Sequence, residues 1–173
     1  MLENFKNHPV CDGVSVLTVL GLTLCLLTAC VSPSKSPVTT SRLTQLNSGY
    51  EAISSKGFAQ TRDDLISAIE SRGFKVFSVI DHQKGAASVD IDLEPTATIV
   101  FGNPKGGTPL LIADRAIAVD LPLKAAVLQQ RGQVFVVMQD VSLFSRNYDL
   151  ASESARLENL QQLMKGLLRS AVE

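Results

Sequence analysis

The chain is expected to fold as an α+β domain, an antiparallel sheet with helices packed on one face, in roughly β-α-β(4)-α order. Three observations predict this. From Tyr50 onward, runs of alternating type follow one another. Several of these runs are β-branched or aromatic and too short for helices. The C-terminal stretch instead carries leucines at helical spacing. With 173 residues, 45% apolar and 19% charged, one domain with its own core is expected, together with a targeting or tether segment.

Each element has its own signal. Thr61-Arg62-Asp63-Asp64 reads as a helix start, with Thr61 as cap and Asp64 reaching back. Leu65, Ile66, Ala68 and Ile69 continue it at helical spacing, and Gly73 ends it as the C′ residue. Phe74–Ile80 and Thr96–Phe101 read as strands. Gly102–Gly107 reads as a turn, after which Thr108 caps and Pro109 opens a short helix through Ala113. Ala116–Asp120 is a short strand candidate. Ala125–Leu128 and Val134–Met138 flank Arg131-Gly132 as a hairpin. Arg156–Val172 is the clearest helix. Its stripe of Leu157, Leu160, Leu163, Met164, Leu167 and Leu168 reads as a core face and not as a binding groove.

The first thirty residues read as an address. All three cysteines, Cys11, Cys25 and Cys30, lie there. The rest of the chain therefore has no thiol for a disulfide, a nucleophile or a Cys-type metal site. Lys6 supplies an early positive charge, and Val14–Leu27 is uncharged and apolar. That run fits a signal segment better than a bilayer span of about 20 residues. It ends in Leu27-Thr28-Ala29-Cys30, which resembles a bacterial lipobox, with Cys30 as the lipidated first residue of the mature chain. An uncleaved anchor helix is the other reading. Val31 in place of Asp after the cysteine points to the outer membrane, facing the periplasm.

The division expected is therefore a signal peptide over 1–29, a lipidated Cys30 with a Ser/Thr/Pro-rich tether over 30–48, and one α+β domain over 49–173. Val31–Arg42 reads as extended and solvated; at roughly 3 Å per residue it would hold the domain some 30 Å from the membrane. Removing residues 1–29 takes away Lys6, Glu3 and Asp12 and leaves basic and acidic side chains equal in number. A neutral domain is held at the membrane by acyl chains on Cys30 and not by attraction to acidic lipid. Neutrality also argues against nucleic acid as a partner.

Several short motifs carry a family likeness. Gly73-Phe74-Lys75-Val76-Phe77, Ile80-Asp81-His82, Ala86-Ala87, Phe101-Gly102-Asn103-Pro104 and Asp120-Leu121-Pro122-Leu123-Lys124 occur in this order. Together, from about Lys56 to Leu150, they resemble the domain-of-unknown-function family 302. The resemblance implies a small α+β fold of about β-α-β(4)-α type and no particular activity. Position 90 is often Gly in that family and is Asp90 here.

The candidate site residues are His82, Asn103, Lys105 and Asp120, expected to line a pocket for a small polar ligand. His82 is either a base or ligand contact, since imidazole titrates near neutral pH, or a structural residue pinning a strand end. Asp90, Asp92 and Glu94 alternate with Val89, Ile91 and Leu93, as on one face of a strand. Such a face is either a hard-cation site or, more simply, solvated. Gly102–Thr108 leads from a strand into a helix start and is either an anion cradle of backbone N–H groups aided by Lys105 or a tight turn. Its spacing is not that of a phosphate-binding P-loop. Asp120 and Lys124 flank a proline, as functional groups or as a surface ion pair of little energy. Ser142 and Ser145 lack the Gly-x-Ser-x-Gly setting of a hydrolase nucleophile. No metal and no cofactor is expected.

Three functions follow. The first is a lipid-anchored, periplasm-facing accessory or small-ligand-binding module. The second is an enzyme with His82 as general base beside an anion-binding loop 102–108. The third is a structural envelope protein that self-associates as a homo-oligomer through a sheet edge or face.

Overall fold

A computed structural model of the chain describes residues 43–47 and 49–173. The expected signal peptide, Cys30 and the tether as far as Arg42 lie outside them. The described residues form a six-stranded antiparallel sheet with helices, an α+β fold. The elements run β1 (Thr44–Gln45), β2 (Gly49–Ser54), α1 (Phe58–Ser71), β3 (Lys75–Asp81), α2 (His82–Ala87), β4 (Thr96–Gly102), α3 (Pro104–Ala113), β5 (Leu123–Gln130), β6 (Gln133–Gln139), α4 (Phe144–Asn147) and α5 (Ser154–Val172). The strand order is β1-β2-β6-β5-β4-β3. The expected β-α-β(4)-α order is present as β2-α1-β3-β4-β5-β6-α5. β1 adds a two-residue edge strand at Thr44–Gln45, inside the stretch 30–48 expected to be tether.

Strand alternation sorts the sheet into two faces. Ile99 pairs with Ala125, Val127 with Val136, and Ala52 with Val136; all are buried. Leu65 and Ile69 of α1 and Met164, Leu167 and Leu168 of α5 join them in one core. On the opposite face Ile53 pairs with Phe135 and Phe135 with Leu128, and these stay partly exposed. Both long helices therefore pack on the core face, their apolar stripes at helical spacing meeting the strands' inward residues.

Local chemistry places the helix ends. Thr61 is not the cap of α1, because the helix starts a turn earlier, after Gly57. Thr61 is fully buried; its hydroxyl lies 3.0 Å from the Gly57 carbonyl and 2.8 Å from Ser54 Oγ. At the other end, Gly73 N–H bonds to Glu70 O and Phe74 N–H to Ile69 O. This is a Schellman closure with Gly73 at φ +76°, as the sequence signal requires.

Three further expectations are corrected. Arg115–Val119 is a 3-10 helix where a strand was expected at Ala116–Asp120, since Asp114 caps it by accepting from Ala116 N–H. The acids Asp90, Asp92 and Glu94 do not share a strand face, because Ser88–Glu94 is a turn followed by irregular chain. Asp90 there has φ +58°, the left-handed conformation that Gly accepts freely and Asp tolerates. Finally, Asn103 and not Thr108 caps α3, with Pro104 in the first turn and Pro109 inside the helix. The hairpin turn at Arg131-Gly132 has φ +53° and +78°, and Arg131 N–H donates to Glu94 Oε1 at 3.1 Å.

Candidate functional site

A cavity of about 530 Å³ opens where the start of α3, the Leu121–Leu123 segment and the first turns of α5 meet the β3–β4 edge. Its size falls within the 300–1,000 Å³ range of small-molecule pockets. Phe74, Leu110, Leu111, Leu121, Leu160 and Leu163 supply most of its walls, with Pro104 and Pro122 beside them. Two of the motifs quoted above, Phe101-Gly102-Asn103-Pro104 and Leu121-Pro122-Leu123, run side by side along it, Phe101 pairing with Leu123.

A bulge in β3 completes one wall. The β3–β4 register shifts between Val76 and Ser78, leaving Phe77 unpaired. A bulge re-aims its side chain, and here the Phe77 ring lies over Gly102. A Cβ at Gly102 would come within 2.9 Å of Phe77 Cε2, so glycine is what lets the ring settle there. Deeper in, Phe74 packs edge-on against buried Phe101 at 5.8 Å between centroids. The Schellman closure at Gly73 sets where Phe74 enters the wall.

The stripe on α5 divides. Leu157, Met164, Leu167 and Leu168 are buried in the core. Leu160 and Leu163 are half-buried and line the pocket. The expectation that the whole stripe is core is thus corrected at these two positions, which pack against the core and also line the cavity.

Few polar groups touch the cavity. Asn103 lines it, with both side-chain ends committed. Its Oδ1 accepts from Lys105 N–H at 2.9 Å, and its Nδ2 donates to the Gly73 carbonyl at 2.9 Å. Arg156, Asn159 and Thr108 stand exposed on the lining. Arg156 Nε donates to Glu153 Oε2 at 2.6 Å, and the rest of the guanidinium keeps four N–H donors. Asn159, one turn along α5, takes no hydrogen-bond partner among the described residues.

The four sequence candidates are not brought together. Asn103 is on the wall. Lys105 is exposed and outside the lining; its contribution is its backbone N–H. Asp120 sits behind the wall, where its Oδ2 accepts from Tyr148 Oη at 2.6 Å. That bond, with desolvation and the charges of Asp120 and Asp114, holds the Tyr148 phenol above its ordinary pKa. Lys124 does not ion-pair with Asp120; its Nζ donates to the Asp120 carbonyl at 3.3 Å. His82 begins α2 at the far end of β3, exposed, with Nε2 2.9 Å from Thr98 Oγ1. Gly102 pairs with Lys75 and Ala97 with Asp81, so the length of the strand, about 20 Å at 3.3 Å per residue, separates His82 from the α3 start.

The anion-cradle reading of loop 102–108 is corrected by the same geometry. Its donors are already used: Lys105 N–H by Asn103 Oδ1, and Gly106 and Gly107 N–H by the Asn103 carbonyl at 3.0 and 2.9 Å. Among the described residues no cluster of three or more His, Cys, Asp or Glu side chains is placed to hold a metal ion.

The pocket residues missed in the sequence are apolar ones. Phe74, Phe77, Leu160 and Leu163 read as strand and core material, and only the bulge in β3 and the tertiary packing of α5 bring them to a cavity. Arg156 had one signal, a cation at the start of a leucine stripe, which by itself reads as solvated surface.

The chain is similar to several known proteins. It is 32% identical over 111 residues to the fluoride-specific ion channel FluC 1 of Brucella suis biovar 1 (strain 1330), covering 63% of this chain and 44% of that protein. FluC 2 of Brucella melitensis biotype 1 matches equally, with 41% of its length covered. The chain thus spans less than half of these relatives. A crystal structure of a DUF302 protein from Bacillus stearothermophilus shares the fold, with a TM-score of 0.66 at 19% identity over 73% of this chain and 99% of that one. A family model, domain of unknown function DUF302, matches residues 50–170. With most of its length matched, the chain belongs to the DUF302 family.

Proposed function

We propose that this protein is a lipid-anchored, periplasm-facing accessory module that holds a small, largely apolar ligand. The observation that carries the reading is the cavity of about 530 Å³ walled by Phe74, Phe77, Leu110, Leu111, Leu160 and Leu163. An apolar hollow of that size offers dispersion contacts to a ligand of matching shape. Where the residues alone suggested a polar ligand, the walls favour an apolar body. The lipobox resemblance of Leu27-Thr28-Ala29-Cys30 supports the anchor, acyl chains on Cys30 being the contact with the outer membrane. The kinship with proteins named for an ion channel supports work beside a membrane. Among the described residues no helix is long and apolar enough to cross one. Fluoride conduction belongs to those relatives' names and is not transferred.

Gly107→Leu tests the pocket. Gly107 lines the cavity, and a Cβ there would stand 3.9 Å from Leu121 Cδ1, an ordinary contact, so a larger side chain is expected to take up cavity space. Saturable binding of an uncharged apolar fluorophore is expected in the wild-type chain and not in the variant. Equal binding by both removes the pocket reading. For the anchor, metabolic labelling with a tagged fatty acid is expected to mark the wild type and not Cys30→Ala.

A second reading, self-association, has its own observation. On the sheet face away from the helices Ile53, Phe135, Leu128 and Val137 are contiguous, with Ile53 41% exposed. A monomer across a wide concentration range in analytical ultracentrifugation would remove it. The enzyme reading has no such support, since His82 and the α3 start lie at opposite ends of a strand.

A further inference from the structure

We infer that the ligand is a single-chain amphiphile with an anionic head, carboxylate or phosphate, bound with its chain in the cavity and its head on Arg156. This rests on the pocket reading above and adds the chemistry of the head. The polar side chains on the lining are few and unequal. Asn103 is spent on the α3 cap and on Gly73. Thr108 offers a single hydroxyl. Arg156 is the one cation of the lining, and Asn159 lies three residues on, on the same side of α5. Leu160 and Leu163 follow on that helix and begin the apolar wall. Reading along α5 from its start, the lining passes from guanidinium and amide to leucine, the order of a head and a chain.

Glu153 sharpens the inference. Its carboxylate holds Arg156 Nε at 2.6 Å, with the Arg156 side chain still 42% exposed. That pair fixes the guanidinium at the mouth through one edge, and the terminal nitrogens remain for a fork-like contact with a carboxylate or phosphate. Glu153 also repels a second anion and competes for the same cation. The head must therefore take Arg156 against Glu153, which makes the site selective for anions able to pair with it and weaker than an unopposed arginine.

The test uses the full chain in nanodiscs, titrated with decanoate, decyl phosphate and decanol, with Gly107→Leu as the background for partition into lipid. The wild type is expected to bind decanoate or decyl phosphate at least about tenfold more tightly than decanol, a difference of about 1.4 kcal/mol. Whichever anion is preferred identifies the head. Arg156→Gln is expected to bring that anion to within about threefold of decanol. Glu153→Gln is expected to raise the affinity for the anion. Equal binding of anion and alcohol by the wild type, or a preference that persists in Arg156→Gln, overturns the head-group assignment while the pocket stands. If none of the three binds the wild type beyond Gly107→Leu, the pocket reading falls, and the assignment falls with it.

Discussion

Asn103 Nδ2 donates to the Gly73 carbonyl at 2.9 Å, joining the start of α3 to the closure of α1 across thirty residues of chain. The bond links two of the motifs that carry the family likeness, and between them they frame one end of the pocket. Gly73 sets the path of Phe74 into the wall, and Asn103 sets the first turn of α3.

Asn103 can be dissected by two substitutions. Asn103→Ala removes the cap and the tie to Gly73, and is expected to cost about 1–2 kcal/mol of stability. Asn103→Asp keeps a capping oxygen and adds a favourable charge at the helix start but loses the donor to Gly73. Its loss is expected to be smaller, about 1 kcal/mol. Urea denaturation of both variants checks the order; equal losses would mean that the capping oxygen contributes nothing, and an Asp variant as stable as wild type would mean that the Gly73 bond contributes nothing.

Gly107→Leu should separate binding from stability. Gly106 and Gly107 sit in the first turns of α3, where a glycine weakens a helix by about 1 kcal/mol relative to good helix formers. A Cβ at 107 meets Leu121 Cδ1 at an ordinary contact distance. Thermal melting is therefore expected to rise by a few degrees while ligand binding is lost. A fall in melting temperature would show that the cavity volume is needed for folding.

The β5–β6 turn offers a stabilising change. Arg131 holds φ +53° before Gly132 at +78°, the conformation in which Asn-Gly is favoured. A bulky side chain there costs about 1–2 kcal/mol. Arg131→Asn leaves the backbone donor to Glu94 in place and is expected to gain about 0.5–1 kcal/mol, read from the denaturation midpoint.

Asp140 should govern part of the acid limb of stability. It is 4% exposed at the end of β6. Burial alone would raise its pKa, but bonds from the Ser142 hydroxyl at 2.6 Å, Gln45 Nε2 at 3.0 Å and Ser142 N–H at 2.9 Å outweigh it and bring the pKa below its ordinary value. A carboxyl whose pKa is lowered by folding adds stability that is present above the unfolded value, about 4, and is lost as pH falls through the folded one. Asp140→Asn is expected to be less stable at neutral pH and to show a flatter loss between pH 4 and lower values. Parallel acid limbs in the two proteins would remove Asp140 from this role.

How much was legible in the sequence follows physical lines. Period and composition reveal elements with a buried face, so the strand at 96–101, the hairpin and α5 were readable, while the largely exposed edge strand at 74–80 was legible from its β-branched and aromatic residues alone. Helix starts were not, because two residue types compete for each cap. Thr61 bonds back to Gly57 from inside α1, and Asn103 takes the capping position that Thr108 also fits. The pocket was less legible still. It is made by a bulge at Phe77 and by the way Leu160 and Leu163 of α5 pack around the same hollow as α3 and Leu121, and both are features of register and packing that no single motif encodes. The residues that carry chemistry by type, His82, Lys105 and Asp120, drew attention for their side chains, while the cavity formed from apolar ones.

The measurement that bears most directly on a ligand-holding module is solvent extraction of the full chain as purified from bacterial membranes, followed by mass spectrometry of what is released beyond bulk lipid. Wild type is expected to release a stoichiometric single-chain amphiphile that is depleted in Gly107→Leu prepared in parallel. The same profile from both proteins would contradict a ligand seated between Phe77, Leu121 and Leu163.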